Sequence, residues 1–183
     1  MEYIDLLIAT ASEYLQYEDI LFYLSKTKLI KLTYLVEYYY YRNNQKRLTN
    51  EEWFFYLYGP YLFNYDEYLK RSPFSIEEVN EESDFKVVVR DEDYFRKENI
   101  TDFDVKQLIK KIVAEYGNKN LNEILDFIYF ETEPMLYADR RGDKLDFSHI
   151  QPRPKIKKQL LENKEIYSII EKYKIRVKNA RAI

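Results

Sequence analysis

Three glycines and five prolines in 183 residues constrain this chain more than any motif does. With so few residues that reverse the backbone cheaply, the chain is expected to run in helices joined by short connections. The same scarcity removes glycine-rich phosphate loops, since neither G-x-G-x-x-G nor G-x-x-x-x-G-K can be written anywhere in the sequence. Hydrophobic residues at 46% and charged ones at 33% supply both a core and a soluble surface, so a folded chain is expected rather than a disordered one.

Periodicity then places the elements. Ile4, Leu7, Ile8, Ala11 and Leu15 recur at helical spacing and predict a first amphipathic helix. A second runs from about Lys26 to Arg42, with Leu29, Leu32, Val36 and Tyr39 or Tyr40 on one stripe and Lys28, Lys31 and Glu37 largely off it. Thr49 stands three residues before Glu52, the spacing of a capping box, and predicts a short aromatic helix with Trp53, Phe54 and Leu57 that stops at Gly59 and Pro60. Ser75 with Glu78, Thr101 with Asp104 and Asn120 with Glu123 are further cap candidates. Helices are expected from Asp102 to Tyr116, ended by Gly117, and from Leu121 to about Phe130, ended by Pro134, with a last one from near Pro154. The only convincing strand lies at 84–90, with Phe85, Val87 and Val89 on one face. The expected fold class is therefore mainly α, a single helical domain with one small β element.

The inventory of reactive side chains is short. There is no cysteine and one histidine, His149, which excludes disulfides, thiolate zinc sites, cysteine nucleophiles and two-histidine metal motifs. Glu131 and Glu133, followed by Asp139, Asp143 and Asp146, are the carboxylates that acid–base work or a hard cation would need, but their spacing fits no calcium loop and equally suits a helix end and a turn. Arg141-Gly142-Asp143 reads as a glycine turn, and His149 as a hydrogen-bonded structural residue. The expectation is no enzyme, no cofactor and no metal.

Charge is unevenly spread behind a net −3. From Glu77 to Asp104 the chain carries eleven acids and four bases, and from Gln151 to Ile183 ten bases and three acids. The first twenty residues hold five acids and no base, the reverse of a secretory or transit leader, and no apolar run approaches the ~20 residues that span a bilayer. A cytoplasmic protein without a membrane partner is expected. The basic end suits either a solvated helix face or a nucleic-acid contact through Lys157, Lys158, Arg176 and Lys178.

Twenty tyrosines are the remaining signal. Tyr38 to Tyr41 are consecutive, so on a helix they cover its whole circumference, and the run from Trp53 to Tyr68 adds Tyr56, Tyr58, Tyr61 and Tyr65. Tyrosine gives amphipathic contact area at low entropic cost and is enriched in protein interfaces. The competing uses are an aromatic core whose phenols reach the surface, and base stacking. Trp53, Tyr56, Tyr58 and Tyr61, then Tyr38 and Tyr41, are the candidate partner-binding residues.

Two blocks together resemble a known family. Lys26-Thr-Lys-Leu-Ile-Lys-Leu-Thr-Tyr-Leu35, Leu48-Thr49 before Trp53, and Tyr58-Gly59-Pro60-Tyr61 form the first, and Leu125 to Met135 with Gly142 to Phe147 the second. Their order and spacing are similar to the Panacea domain, the SocA-like antitoxin domain, over about residues 5–150. The resemblance implies a mostly α-helical, non-enzymatic domain at 1–150; the residues after it, 151–183, read from their own pattern as a basic C-terminal helix packed on or extending from the same domain. It also implies that the protein binds and neutralises a cognate toxin by direct contact, and that it can act as an adaptor to a cytosolic AAA+ protease. From the residues themselves, a nucleic-acid-binding regulator stays open as the alternative, and an acid-dependent hydrolase on Glu131 and Glu133 as a third.

Overall fold

Ser25 begins the element around which the rest is arranged. Its extended backbone and its hydroxyl, which accepts from Lys28 N at 3.1 Å, cap helix α2, Lys26–Asn44. At the other end Gln45 takes a left-handed conformation, φ 54°, and returns its N–H to Tyr41 O. The computed structural model describes residues 1–17, 24–71, 74–78, 85–89 and 102–152, all within the unit Met1–Pro152. The expected C-terminal helix, with Lys157, Lys158, Arg176 and Lys178, lies outside the described residues.

Every residue of α2 from Leu29 to Tyr38 is buried. A helix buried on all sides is a central helix rather than an amphipathic surface one, and this corrects the single-stripe expectation. Lys31 and Glu37, expected largely off the apolar stripe, are 2% and 0% exposed. Around α2 pack α1, Tyr3–Tyr17, then α4, Phe103–Tyr116, and α5, Leu121–Glu131. These three lie close to the helices read from periodicity. Asp102 caps α4 through its carboxylate, accepting from Asp104 and Val105, while the candidate Thr101 lies outside the described residues. Asn120 and Glu123 close both halves of the expected capping box on α5. Pro134 does not end α5: the helix stops at Glu131, and Pro134 sits in the first turn of the short α6, Glu133–Leu136.

Two small β elements complete the unit. The expected strand is β5, Phe85–Val89, and it is not alone: it pairs antiparallel with β1, Leu24–Ser25, on one side and with β4, Phe74–Glu78, on the other. Ser75, expected as a helix cap, therefore lies inside a strand. The larger correction concerns the aromatic helix after Thr49. In its place is a hairpin of β2, Phe54–Tyr56, and β3, Gly59–Tyr61, joined by Leu57 and Tyr58. Helix α3, Tyr65–Arg71, follows it. The fold remains mainly α with small β elements.

The core is contiguous and strongly aromatic. Trp53, Tyr34, Tyr38 and Tyr116 are its largest fully buried side chains, among leucines and isoleucines from α1, α2, α4 and α5. Each buried side chain of this size contributes about 1.5–3 kcal/mol relative to exposure, so these rings dominate the packing. Edge-to-face contacts of Trp53 with Tyr34 at 5.2 Å and Tyr3 at 5.9 Å knit α1, α2 and the hairpin entrance together.

Candidate functional site

The hairpin is held in place by one buried carboxylate. Glu37 accepts from Arg47 Nε at 2.8 Å and Nη2 at 2.5 Å, from the Thr49 hydroxyl at 2.9 Å, and from Trp53 Nε1 at 2.7 Å. Burying a carboxylate is costly unless it is paired and hydrogen-bonded, and here both oxygens are used. No capping box forms at Thr49: its hydroxyl donates to Glu37, twelve residues earlier, and accepts from Glu51 N at 3.4 Å, and the segment stays extended to reach the carboxylate. Arg47 also donates to Glu51 O at 2.7 Å and lies over the Phe147 ring at 4.0 Å.

A distant segment then pairs with the outer edge of β2. Phe55 N donates to Asp143 O, Gly142 N to Phe55 O, and Leu145 N to Trp53 O, all between 2.7 and 2.8 Å. Lys144 and Glu52 form an ion pair across the same junction. The two sequence blocks that carry the resemblance are thus one structural unit. On the opposite side Gly59, at φ 78°, lets the turn close against α5: a Cβ there would stand 3.4 Å from Leu125 Cδ2.

What the hairpin presents outward is aromatic. Tyr58 is 64% exposed and Phe63 56%, with Leu57 and Tyr56 at 47% and 40%. The rings of Tyr56, Tyr61 and Phe63 touch one another, with centroids 5.2 to 6.1 Å apart, and Tyr61 meets Tyr65 edge-on at 5.0 Å. Tyr56, Tyr58 and Tyr61, three of the candidate partner-binding residues, are therefore brought together on one surface. Tyr41 is half-buried with its ring against Phe147.

Trp53 and Tyr38 are corrected to core. Trp53 is fully buried with its indole N–H on Glu37, and Tyr38 is fully buried with its hydroxyl donating to Glu133 Oε2 at 2.6 Å. Neither side chain is available to a partner. Tyr34, whose hydroxyl meets Thr132 Oγ1 at 3.3 Å, and Tyr39, whose hydroxyl meets that of Tyr116 at 2.9 Å, serve the same internal purpose. Burial pushes the Tyr34 and Tyr38 phenols well above their ordinary value, with Glu133 adding to the shift of Tyr38. The carboxylates considered for acid–base work are dispersed: Glu133 holds Tyr38, Asp143 caps the turn through Asp139 N and Arg140 N, and Asp146 caps the short 3-10 turn Phe147–His149.

A family model for the SocA-like antitoxin, Panacea domain matches residues 29–134, more than half of the chain. The chain belongs to this family. The Panacea match runs from the first turn of α2 to the start of α6, and so includes Lys31, Glu37, Trp53, the whole hairpin and Glu133. No curated protein and no solved structure matches the chain. Among the described residues, no helix of this Panacea protein is long and apolar enough to cross a membrane.

Sequence reasoning missed two residues of the site, Lys31 and Glu37. Their signal was present: the apolar and aromatic residues from Leu29 to Tyr41 surround the helix instead of lining one face, and a charged residue within such a helix has to find an internal partner.

Proposed function

We propose that this chain is an antitoxin that binds its cognate toxin by direct protein contact, in the cytoplasm and without catalysis of its own. Membership of the SocA-like antitoxin family supports the antitoxin role. The observation that carries the contact reading is the surface formed by Tyr56, Leu57, Tyr58 and Phe63 on the hairpin. Exposed aromatics on a rigid, hydrogen-bonded element are what an interface hot spot requires, because little side-chain entropy is lost on binding. A standard interface buries ~1,600 Å² in total, within reach of a surface of 12551 Å².

Co-expression with the product of the neighbouring gene tests the proposal. The neighbour alone arrests growth, the pair grows, and the two proteins co-purify; normal growth with the neighbour alone, together with no complex, rejects it. Tyr58→Ala changes stability by no more than ~0.5 kcal/mol, being exposed, and weakens complex formation at least tenfold by titration calorimetry. The protease-adaptor role predicts in addition that the toxin's half-life shortens when this chain is present and lengthens again when the protease is removed.

The basic segment from Gln151 to Ile183 favours a second reading, a nucleic-acid-binding regulator. That reading requires affinity for DNA or RNA to fall steeply as salt rises; absent or salt-independent binding removes it.

A further inference from the structure

Beside the hairpin turn is a cavity of about 320 Å³, walled by the start of α2, the hairpin, Tyr65 of α3 and Leu121 of α5. Among the described residues, Lys26 and Lys31 line it and no acidic residue does. Lys26 is paired, 2.9 Å from Asp66. Lys31 is not: it is 2% exposed, and among the described residues its ammonium donates only to Pro60 O, at 2.7 Å. An ammonium has three N–H donors and a charge, so one carbonyl leaves both donors and charge unmet. A methionine would fill the same space without that cost, and a fold that keeps a local rule broken in its interior does so at functional sites. The entrance of the cavity is the exposed surface described above, with Tyr56, Leu57 and Tyr58 shared between them.

We propose that this cavity receives a carboxylate side chain of the bound toxin, with Lys31 Nζ as its counter-ion and the rings of Tyr56 and Tyr58 covering the residue beside it. The inference rests on the antitoxin reading and specifies the chemistry its partner presents. Lys31, whose ammonium meets no acid among the described residues, calls for an anion. The volume, at the small end of ligand sites, suits one inserted side chain. The exposed apolar rim, which a free inorganic anion would leave uncovered, calls for a polypeptide around it.

Protonation gives a signature. Burial draws the Lys31 amine down to about 7, so a carboxylate that needs the ammonium form binds with proton uptake at and above neutrality. Among the described residues, the other titratable or charged groups facing it are Lys26 with its partner Asp66, and the phenols of Tyr56, Tyr58, Tyr61 and Tyr65. Burial raises Tyr61 and Tyr65, while Lys26, lowered by burial, is carried back above its ordinary value by Asp66 and Tyr65; all three move away from neutrality.

The test titrates the full chain with phenylacetate, phenylacetamide and inorganic phosphate while following the lysine Cε–Hε signals by NMR. Phenylacetate is expected to shift Lys31 and raise its titration midpoint, with affinity falling about tenfold per pH unit above that midpoint in the free protein. Phenylacetamide is expected to leave Lys31 unmoved and phosphate to bind at least tenfold more weakly. Equal response to the amide, or phosphate binding as well as phenylacetate, overturns the proposal. In co-purification with the neighbouring gene product, Lys31→Met and Lys31→Gln both lose at least tenfold in affinity, although glutamine can still donate to Pro60. Wild-type binding by both variants overturns the cavity assignment and leaves the antitoxin reading standing. If the wild type itself forms no complex, that reading falls, and the phenylacetate titration decides the cavity by itself.

Discussion

Helix α2 buries two charges six positions apart, and the fold treats them in opposite ways. Glu37 receives a guanidinium, a hydroxyl and an indole N–H, so both carboxylate oxygens are occupied and a guanidinium balances the charge. Among the described residues Lys31 receives one carbonyl oxygen. Both flank the same hairpin, Glu37 at its entrance through Trp53 and Lys31 at its far strand through Pro60. A buried charge that is fully coordinated is scaffold, because removing any partner strands the rest. A buried charge coordinated by a single dipole costs stability in the free protein, and its use lies in what arrives later. The difference separates the half of the site that positions from the half that receives.

Removing Glu37 has the largest expected effect. Glu37→Leu leaves Arg47, Thr49 and Trp53 Nε1 without their acceptor, and the expected loss is ~3–5 kcal/mol by urea denaturation, as for a broken buried ion pair. Glu37→Gln keeps one acceptor oxygen, which can serve the indole and the hydroxyl, but loses the charge and sets an NH2 donor against the Arg47 guanidinium, so it costs ~1–3 kcal/mol. If leucine and glutamine cost the same, the network is not what holds the hairpin. Gly59→Ala approaches the Lys31 end through the backbone alone. The residue sits at φ 78° with Leu125 Cδ2 at 3.4 Å from where a Cβ would stand, so a loss of ~1–3 kcal/mol is expected in the same measurement. A smaller change would mean that the turn relaxes without disturbing β3.

These contacts also mark where local sequence patterns stop being informative. The S/T-x-x-E spacing occurs at both Thr49 with Glu52 and, in its asparagine form, at Asn120 with Glu123. The second is a capping box with both bonds made. The first is not: the Thr49 hydroxyl donates to a carboxylate of another element and accepts from Glu51 N. The helices around the core were legible for a physical reason: apolar spacing and end caps are short-range, and α1, α4 and α5 are stabilised that way. The hairpin depends on Glu37 and on residues 142–145, some ninety positions later, and no window of sequence holds both. The trio of exposed Tyr56 and Tyr58 and half-buried Tyr61 was legible as a cluster, but nothing local distinguished it from Tyr38 and Trp53. Burial of those two follows from packing around all sides of α2.

Lys31→Met is opposite in sign. Methionine keeps the length and apolar body of the lysine stem and removes the amine, so at pH 7 the variant is expected to be more stable by ~2 kcal/mol, the desolvation cost less the lost bond to Pro60. The pH dependence identifies the cause. Lys31 titrates at about 7 when folded against an ordinary 10.5, so between those values the unfolded chain holds the proton and the folded one does not. Wild-type stability therefore rises with pH across that window. The penalty is greatest at and below pH 7 and disappears toward 10.5, and the advantage of the methionine variant shrinks along the same course. Thermal melts of both proteins at pH 6, 7.5 and 9 read this directly. A constant difference across the series would mean that the amine stays charged on folding, which would place a counter-ion beside Lys31 and make its end of α2 scaffold like the end at Glu37.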